Sequence, residues 1–214
     1  MSQLSSRLAY IDVQDRNPLT LFKEWHNEVI SAKCFFFQTN VMCLATSTKN
    51  GKISNRNVVV KQYDENGFVF VTDGRSRKSE EIEENPWVAA TFLWNYKKDE
   101  TEYLKQVRME GKIQKISQDR CLKLFNQEKL YCKIRSHLCH QDQQVDWEVL
   151  KSKHDKLLDD VLNNKRKLTM PDHYVGYEII PERYDFYSAG GNYIADRVVF
   201  TKEQSGWNFV HVAA

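Results

Sequence analysis

The sequence predicts a mainly β protein with peripheral helices (α+β), built on an antiparallel barrel. Three observations predict it. About eight short apolar, β-branched runs are spread along the 214 residues. They come in groups joined by connections too short for a parallel crossover, which needs about a dozen residues. The helical patterns stand between these groups instead of alternating with single strands, as a parallel sheet would require.

Residues 18–32 read as a helix. Leu19, Leu21, Phe22, Trp25, Val29 and Ile30 recur near helical spacing, Asn17 suits the N-cap and Pro18 the first helical position. Residues 41–48 are an apolar strand, and the Asn50-Gly51 pair behind them is a strong hairpin signal. A strand over 53–63 carries Val58-Val59-Val60; a second turn over 64–67 leads into a strand over 67–72. A short helix over 76–84 stops at Asn85-Pro86. Strands over 87–94 and 103–116 flank a polar excursion at 97–100. Residues 117–127 and 145–162 read as helices, and short strands over 174–180, 183–187, 197–201 and 207–212 close the chain. Residues 1–16 stand outside the pattern as a mobile extension, and 17–214 form one domain.

Composition excludes several classes. Lys plus Arg is 31 and Asp plus Glu 29, a net charge of +2, too balanced for a protein that holds nucleic acid through bulk charge. No apolar run nears the roughly 20 residues that span a bilayer, and the first residues lack a signal-peptide core. With 8 Gly and 4 Pro, collagen, Pro-rich linkers and long disordered tracts are excluded. Five cysteines (Cys34, Cys43, Cys121, Cys132, Cys139) read as reduced thiols of a cytoplasmic protein. Cys121, Cys132, His137, Cys139 and His140 lie near one another but lack paired C-x-x-C elements, so no metal site is expected. The glycine fingerprints of dinucleotide and nucleoside triphosphate sites are missing, as is the serine elbow.

One constellation carries chemistry. The 76–84 helix has Arg75, Arg77 and Lys78 at its start and Glu80, Glu81, Glu83 and Glu84 toward its end. Cations there oppose the helix dipole. Either the helix is a solvated face, or an anion compensates the cations, as helix N-termini allow. Arg56 and Lys61 bracket Arg-Asn-Val-Val-Val-Lys, and strand alternation puts Arg56, Val58 and Val60 on one side and Asn57, Val59 and Lys61 on the other. With the Thr72 and Ser76 hydroxyls, these cations would suit a phosphate dianion.

The order of motifs resembles the pyridoxine/pyridoxamine 5′-phosphate oxidase family over nearly the whole chain from Asn17. The residues that carry it are Asn17-Pro18-Leu19, Met42-Cys43-Leu44-Ala45-Thr46, the 56–61 run, the 67–72 run, Ser76-Arg77-Lys78, Asn85-Pro86, Gln106-Val107-Arg108-Met109-Glu110-Gly111, His140-Gln141 and Asp196-Arg197. The resemblance implies a split antiparallel β-barrel of the flavin mononucleotide (FMN)-binding type, a homodimer with FMN at the subunit interface, and flavin-dependent oxidation. It implies that Arg56 and Lys78, with Arg77 nearby, hold the flavin phosphate. Asn57, Val58, Val59, Val71 and Thr72 would line the ring system and ribityl chain. Gln106 would hydrogen-bond the ring, and Gln141 and Arg197 would reach it from the second subunit. Asp142 stands where the family has Ser, and Tyr187 where it has Trp. The substrate site departs further: Leu124, Glu128 and Cys132 replace the family's Tyr, Arg and Ser, and Tyr193 and Ala195 replace an Arg and a His. Lys61 remains of that set. The resemblance therefore leaves three readings: an FMN-dependent oxidoreductase with a changed substrate, an FMN carrier or regulator, or a binder of another planar cofactor. A further possibility is that other basic residues, such as Lys133 or Arg135, rebuild a phosphate site.

Overall fold

The computed structural model describes residues 7–32 and 39–214. In chain order the elements are β1 (Arg7–Leu8), α1 (Pro18–Ser31), β2 (Val41–Ser47), β3 (Ile53–Asp64), β4 (Gly67–Asp73), α2 (Arg77–Glu84), β5 (Trp87–Lys98), β6 (Thr101–Lys115), α3 (Gln118–Gln127), α4 (Leu130–Leu138), α5 (Trp147–Leu162), β7 (Tyr174–Gly190), β8 (Tyr193–Ile194), β9 (Asp196–Glu203) and β10 (Gly206–Val212). The sheet runs β10-β9-β7-β4-β3-β2-β5-β6, and β6 also pairs with β7, which closes β7-β4-β3-β2-β5-β6 into a ring. All these pairings are antiparallel. This is the split barrel expected, with helices on its periphery. None of the helices described is long and apolar enough to cross a membrane.

The ring splits at β7. Residues 174–179 pair with β4, whereas 183–188 pair with β9, and β6 runs alongside both halves. The change of neighbour falls at Pro181, which has no N–H to give a ladder, and opposite a register shift at Glu110/Gly111 on β6. The sequence suggests two strands here because proline interrupts a strand pattern; the bulge lets one 17-residue strand run through it. Gly111 makes the close approach possible: a Cβ there would lie 2.2 Å from the Ile180 carbonyl oxygen. Gly111→Ala should lower the urea midpoint, at a cost of about 2–3 kcal/mol, with the far-UV spectrum unchanged. A midpoint equal to wild type would mean the split is not held at this contact.

The interior of the ring is apolar, with Met42, Leu44, Phe68, Phe70, Phe92, Val107, Met109 and Phe186 buried. Helix α1 lays Leu19, Phe22, Trp25 and Val29 onto this core, and Phe22 meets Phe68 and Phe92 edge-on. Ile30, placed on the apolar face by spacing, is exposed instead. Asn17 caps the helix, its side chain accepting from Leu19 N–H at 3.0 Å. Between β5 and β6 the polar excursion is a tight turn with Asp99 and Glu100 both at positive φ, so the two strands run farther into it than their apolar residues suggest. Helix α4 has no counterpart in the sequence reading, because Ile134 is its one buried residue and the helical period is faint. Residues 7–12, expected as a free extension, are docked. β1 pairs with β8, Ile11 N–H donates to Asp196 Oδ2 at 2.8 Å, and Ile11 is 4% exposed.

Candidate functional site

The ring delivers two polar clusters, and the first is built around the start of α2. β2 and β3 face inward through Thr46 and Arg56, while β4 ends at Thr72 and Asp73 before the chain turns into the helix. Glu81, one turn along α2, is 2% exposed. It accepts from the Thr46 and Ser54 hydroxyls, from Arg56 Nη2 at 3.3 Å and from Arg77 Nε at 2.8 Å. Burial pushes the Glu81 carboxyl up, but these donors outweigh it and bring it to about 2. Arg56 also donates to the Leu44 carbonyl at 3.3 Å and to Thr46 at 2.6 Å. Its guanidinium is thus committed to the protein, and what it lends its neighbours is charge.

Lys78 is the unusual member. It is 4% exposed, and its ammonium donates to three neutral oxygens: Thr72 Oγ1 at 3.1 Å, Ser76 Oγ at 3.1 Å and Gln141 Oε1 at 2.8 Å. Burial first, and then the positive charge of Arg56, push its pKa down to about 8 despite the more distant Asp142, Asp73 and Glu81. The cations flanking it are matched by carboxylates: Arg75 forks onto Asp73, and Arg77 pairs with Glu81. A buried ammonium held by neutral acceptors beside a second cation is a seat with positive potential to spare. Ser76 precedes the helix but makes no side-chain cap, because its hydroxyl turns to Lys78 and Ser79. The resemblance implies that Gln141 arrives from another subunit; here the same chain's Gln141 already reaches Lys78, so this contact needs no second copy.

The second cluster crosses β6, β7 and β9. Gln106 stands opposite Tyr187, and Tyr187 opposite Arg197. Arg197 forks onto Asp185 with contacts of 2.8 and 2.6 Å, and Arg108 joins the same carboxylate. Burial raises the Asp185 carboxyl, and the two arginines overcome that and hold it below its usual range. Of the other residues singled out by sequence, Asn57 and Val59 face outward, Val58 packs on the main core, and Val71 packs on a small core of Cys121, Phe125 and Tyr174.

Lys61 sits at a β-bulge between Val60 and Gln62. Its ammonium pairs with Glu128 Oε1 at 2.8 Å, with the side chains 27% and 9% exposed respectively. Glu128 is the C-cap residue of α3, where the helix dipole disfavours an anion; Lys61 and the Tyr174 hydroxyl, donating at 3.2 Å, offset this. Burial and then the Glu128 charge push the Tyr174 phenol well above its ordinary range. Tyr193 lies in β8, half-buried opposite Arg7 of β1. Among the described residues no group of three or more His, Cys, Asp or Glu is placed to hold a metal; Cys34 lies outside them.

Residues 30–151 match the pyridoxamine 5′-phosphate oxidase family. A relative named pyridoxine/pyridoxamine 5′-phosphate oxidase from Aliarcobacter butzleri is 34% identical over 201 residues, covering 93% of this chain and 90% of its own. The chain belongs to the pyridoxamine 5′-phosphate oxidase family. A relative of the same name from Bombyx mori is 30% identical over 192 residues, covering 89% of this chain and 72% of its own. Among solved structures, PhzG from Burkholderia lata 383, crystallised with tetrahydrophenazine-1-carboxylic acid, superposes with a TM-score of 0.84 at 24% identity, covering 98% of this chain and 100% of that one. A pyridoxamine 5′-phosphate oxidase-related, FMN-binding protein from Nostoc punctiforme gives 0.69 at 16% identity, covering 90% of this chain and 97% of that one.

In this pyridoxamine 5′-phosphate oxidase family member, the residues that sequence reasoning missed are mostly those holding the cradle together. Glu81 is readable as the i+4 partner of Arg77 on a helix. Its second role, gathering Thr46, Ser54 and Arg56 from two strands, depends on tertiary contacts that no local pattern announces. Asp185 is a second such residue: an acid on the strand facing Arg108 and Arg197 is what their charges require.

Proposed function

We propose that this chain is an FMN-dependent oxidoreductase, acting as a cytoplasmic homodimer through one domain over residues 17–214, whose donor is not a phosphorylated vitamin. The observation that supports the flavin most is Lys78, a buried ammonium with neutral acceptors at the start of α2. A phosphate monoester fits this seat: it would accept from Lys78, the Thr72 and Ser76 hydroxyls and the first N–H groups of α2, under the positive potential of Arg56. Gln141 would shift from Lys78 to the ligand or to solvent. The donor set therefore suits the flavin phosphate, and Asn57 and Val59, on the outward side of β3, would border its ring system. Gln106, Tyr187 and Arg197 would complete the pocket from a second copy. Bound there, the flavin supplies a two-electron acceptor; the chain's part is to hold it and to exclude water. Titrating the flavin-free protein with FMN, followed by quenching of flavin fluorescence, tests this. Saturable binding at one flavin per chain is expected, and its absence overturns the reading.

The second copy is supported by the outward side of the ring, where Val59 and Leu93 are 37% and 57% exposed, Leu93 directly opposite Gln106. A homodimer covering this face should bury more than about 2,000 Å² in total. Leu93→Asp should convert a species of twice 25.3 kDa into one of 25.3 kDa in light scattering. A wild-type chain that is already monomeric when flavin-loaded contradicts the dimer. The thiols of Cys43, Cys121, Cys132 and Cys139, free in the structure, suit a reducing compartment.

The substrate reading rests on Lys61. In this chain its charge is met by Glu128, so Lys61 brings no unmatched positive charge to the place where the resemblance implies vitamin-phosphate binding. A flatter, less charged donor suits it better.

A further inference from the structure

Residues 139–142 lie across the first turn of α2 and are fastened there by four contacts. Arg75 Nη2 donates to the Cys139 carbonyl at 3.1 Å, Gln141 N–H to Asp73 Oδ2 at 3.5 Å, Lys78 Nζ to Gln141 Oε1 at 2.8 Å, and Arg77 N–H to Asp142 Oδ2 at 3.3 Å. The last is a helix-capping contact supplied from far along the sequence. Ser76, the residue that would ordinarily cap α2, has turned its hydroxyl inward to Lys78. Asp142 itself adopts φ +67, a left-handed conformation that Asp and Asn tolerate better than most residues. A carboxylate therefore rests on the backbone N–H that an entering phosphate would use, on the open side of a cradle whose buried ammonium has only neutral partners.

We propose that Asp142 is a built-in counter-anion of the cradle: it caps α2 while the seat is free, and must withdraw or be tolerated when a phosphate monoester enters, so it sets this chain's affinity for phosphorylated over unphosphorylated ligand. The inference rests on the flavin reading for the identity of the ligand, but not for the competition itself. Asp142 is exposed on a loop, so its withdrawal disturbs no core. Its like charge acts on a dianion across a short, partly solvated distance, an effect of about tenfold in affinity that salt would screen.

The test compares the flavin-free full-length chain with Asp142→Asn, which keeps the shape and the left-handed backbone, and with Asp142→Gly, which keeps only the backbone. FMN and riboflavin, which lacks the phosphate, are titrated at low and high salt. Both variants should bind FMN about tenfold more tightly, with riboflavin unchanged and the gain shrinking at high salt. FMN affinity equal to or below wild type in both variants overturns the proposal, as does a riboflavin gain of the same size. If no form binds FMN, the flavin reading falls, and a thermal-shift titration with inorganic phosphate decides the competition alone. A larger phosphate-induced shift in Asp142→Asn supports it, and identical shifts overturn it.

Discussion

Lys78→Met weakens FMN binding about 100-fold while leaving the flavin-free protein as stable as wild type or slightly more so. The two halves of this expectation have one cause. Lys78 is buried to 4% exposure with no carboxylate on its ammonium, so folding pays for a charge that the ligand-free protein does not use. Methionine fills nearly the same volume without the charge. A phosphate seated against this ammonium would gain a charge-assisted hydrogen bond, and such bonds contribute about 1.5–3 kcal/mol each. Fluorescence quenching gives the affinity and thermal unfolding of the flavin-free form gives the stability. Equal affinity for wild type and variant sinks the assignment of Lys78 to the phosphate. A large loss of stability would mean instead that the lysine serves the fold.

The same residue gives the pH dependence a definite sign. Burial and Arg56 bring Lys78 down to about 8 in the ligand-free chain, with Asp142, Asp73 and Glu81 pulling the other way. A depressed lysine is easier to deprotonate folded than unfolded, where it titrates near 10.4. This group therefore costs stability below about 8, and the cost is relieved as pH rises from about 8 toward about 10.4. Binding runs opposite. A phosphate dianion favours the protonated ammonium, so FMN affinity should fall as pH rises through about 8. Below about 6 the phosphate itself begins to take a proton. In Lys78→Met the alkaline fall should flatten.

What the sequence shows and what it hides follow a physical line. The Asn17-Pro18 helix start and the turns at Asn50-Gly51 and Asn66-Gly67 are local events, and the structure has them in place, with Gly51 and Gly67 at positive φ. The cations at 75–78 are legible because they stand at the wrong end of a helix dipole. That Arg75 and Arg77 are neutralised in place while Lys78 turns inward is a matter of which carboxylates β4 and α2 bring near. Strand β7 reads as two pieces because Pro181 looks like a break, and only its pairing, with Glu182 bulged out between Pro181 and Arg183, shows that it is a switch of partners. The resemblance points to Lys61 as a substrate residue; that Glu128 closes onto it is settled by where α3 ends.

Pyridoxamine 5′-phosphate should be oxidised by the FMN-loaded chain at least about a hundredfold more slowly than the roughly 10 per second of a typical enzyme, and Glu128→Gln should recover about tenfold of kcat/KM or more. A phosphate dianion beside Lys61 meets the Glu128 carboxylate at the same time, because the two side chains are 2.8 Å apart. The lysine cannot serve both anions fully, and the carboxylate, only 9% exposed, is poorly screened by water. Glutamine removes the repulsion and frees the ammonium, while its amide oxygen still accepts from Tyr174, which now donates at 3.2 Å. The packing around the end of α3 is thereby kept. Tyr193→Arg with Ala195→His, added to Glu128→Gln, should raise turnover further by restoring a cation and an imidazole beside the docked β1. The assay is pyridoxal 5′-phosphate formation under saturating FMN and oxygen. Wild-type turnover of about 1 per second or more would show that other cations hold the phosphate. No gain from Glu128→Gln would show that the ion pair with Lys61 is not what excludes it.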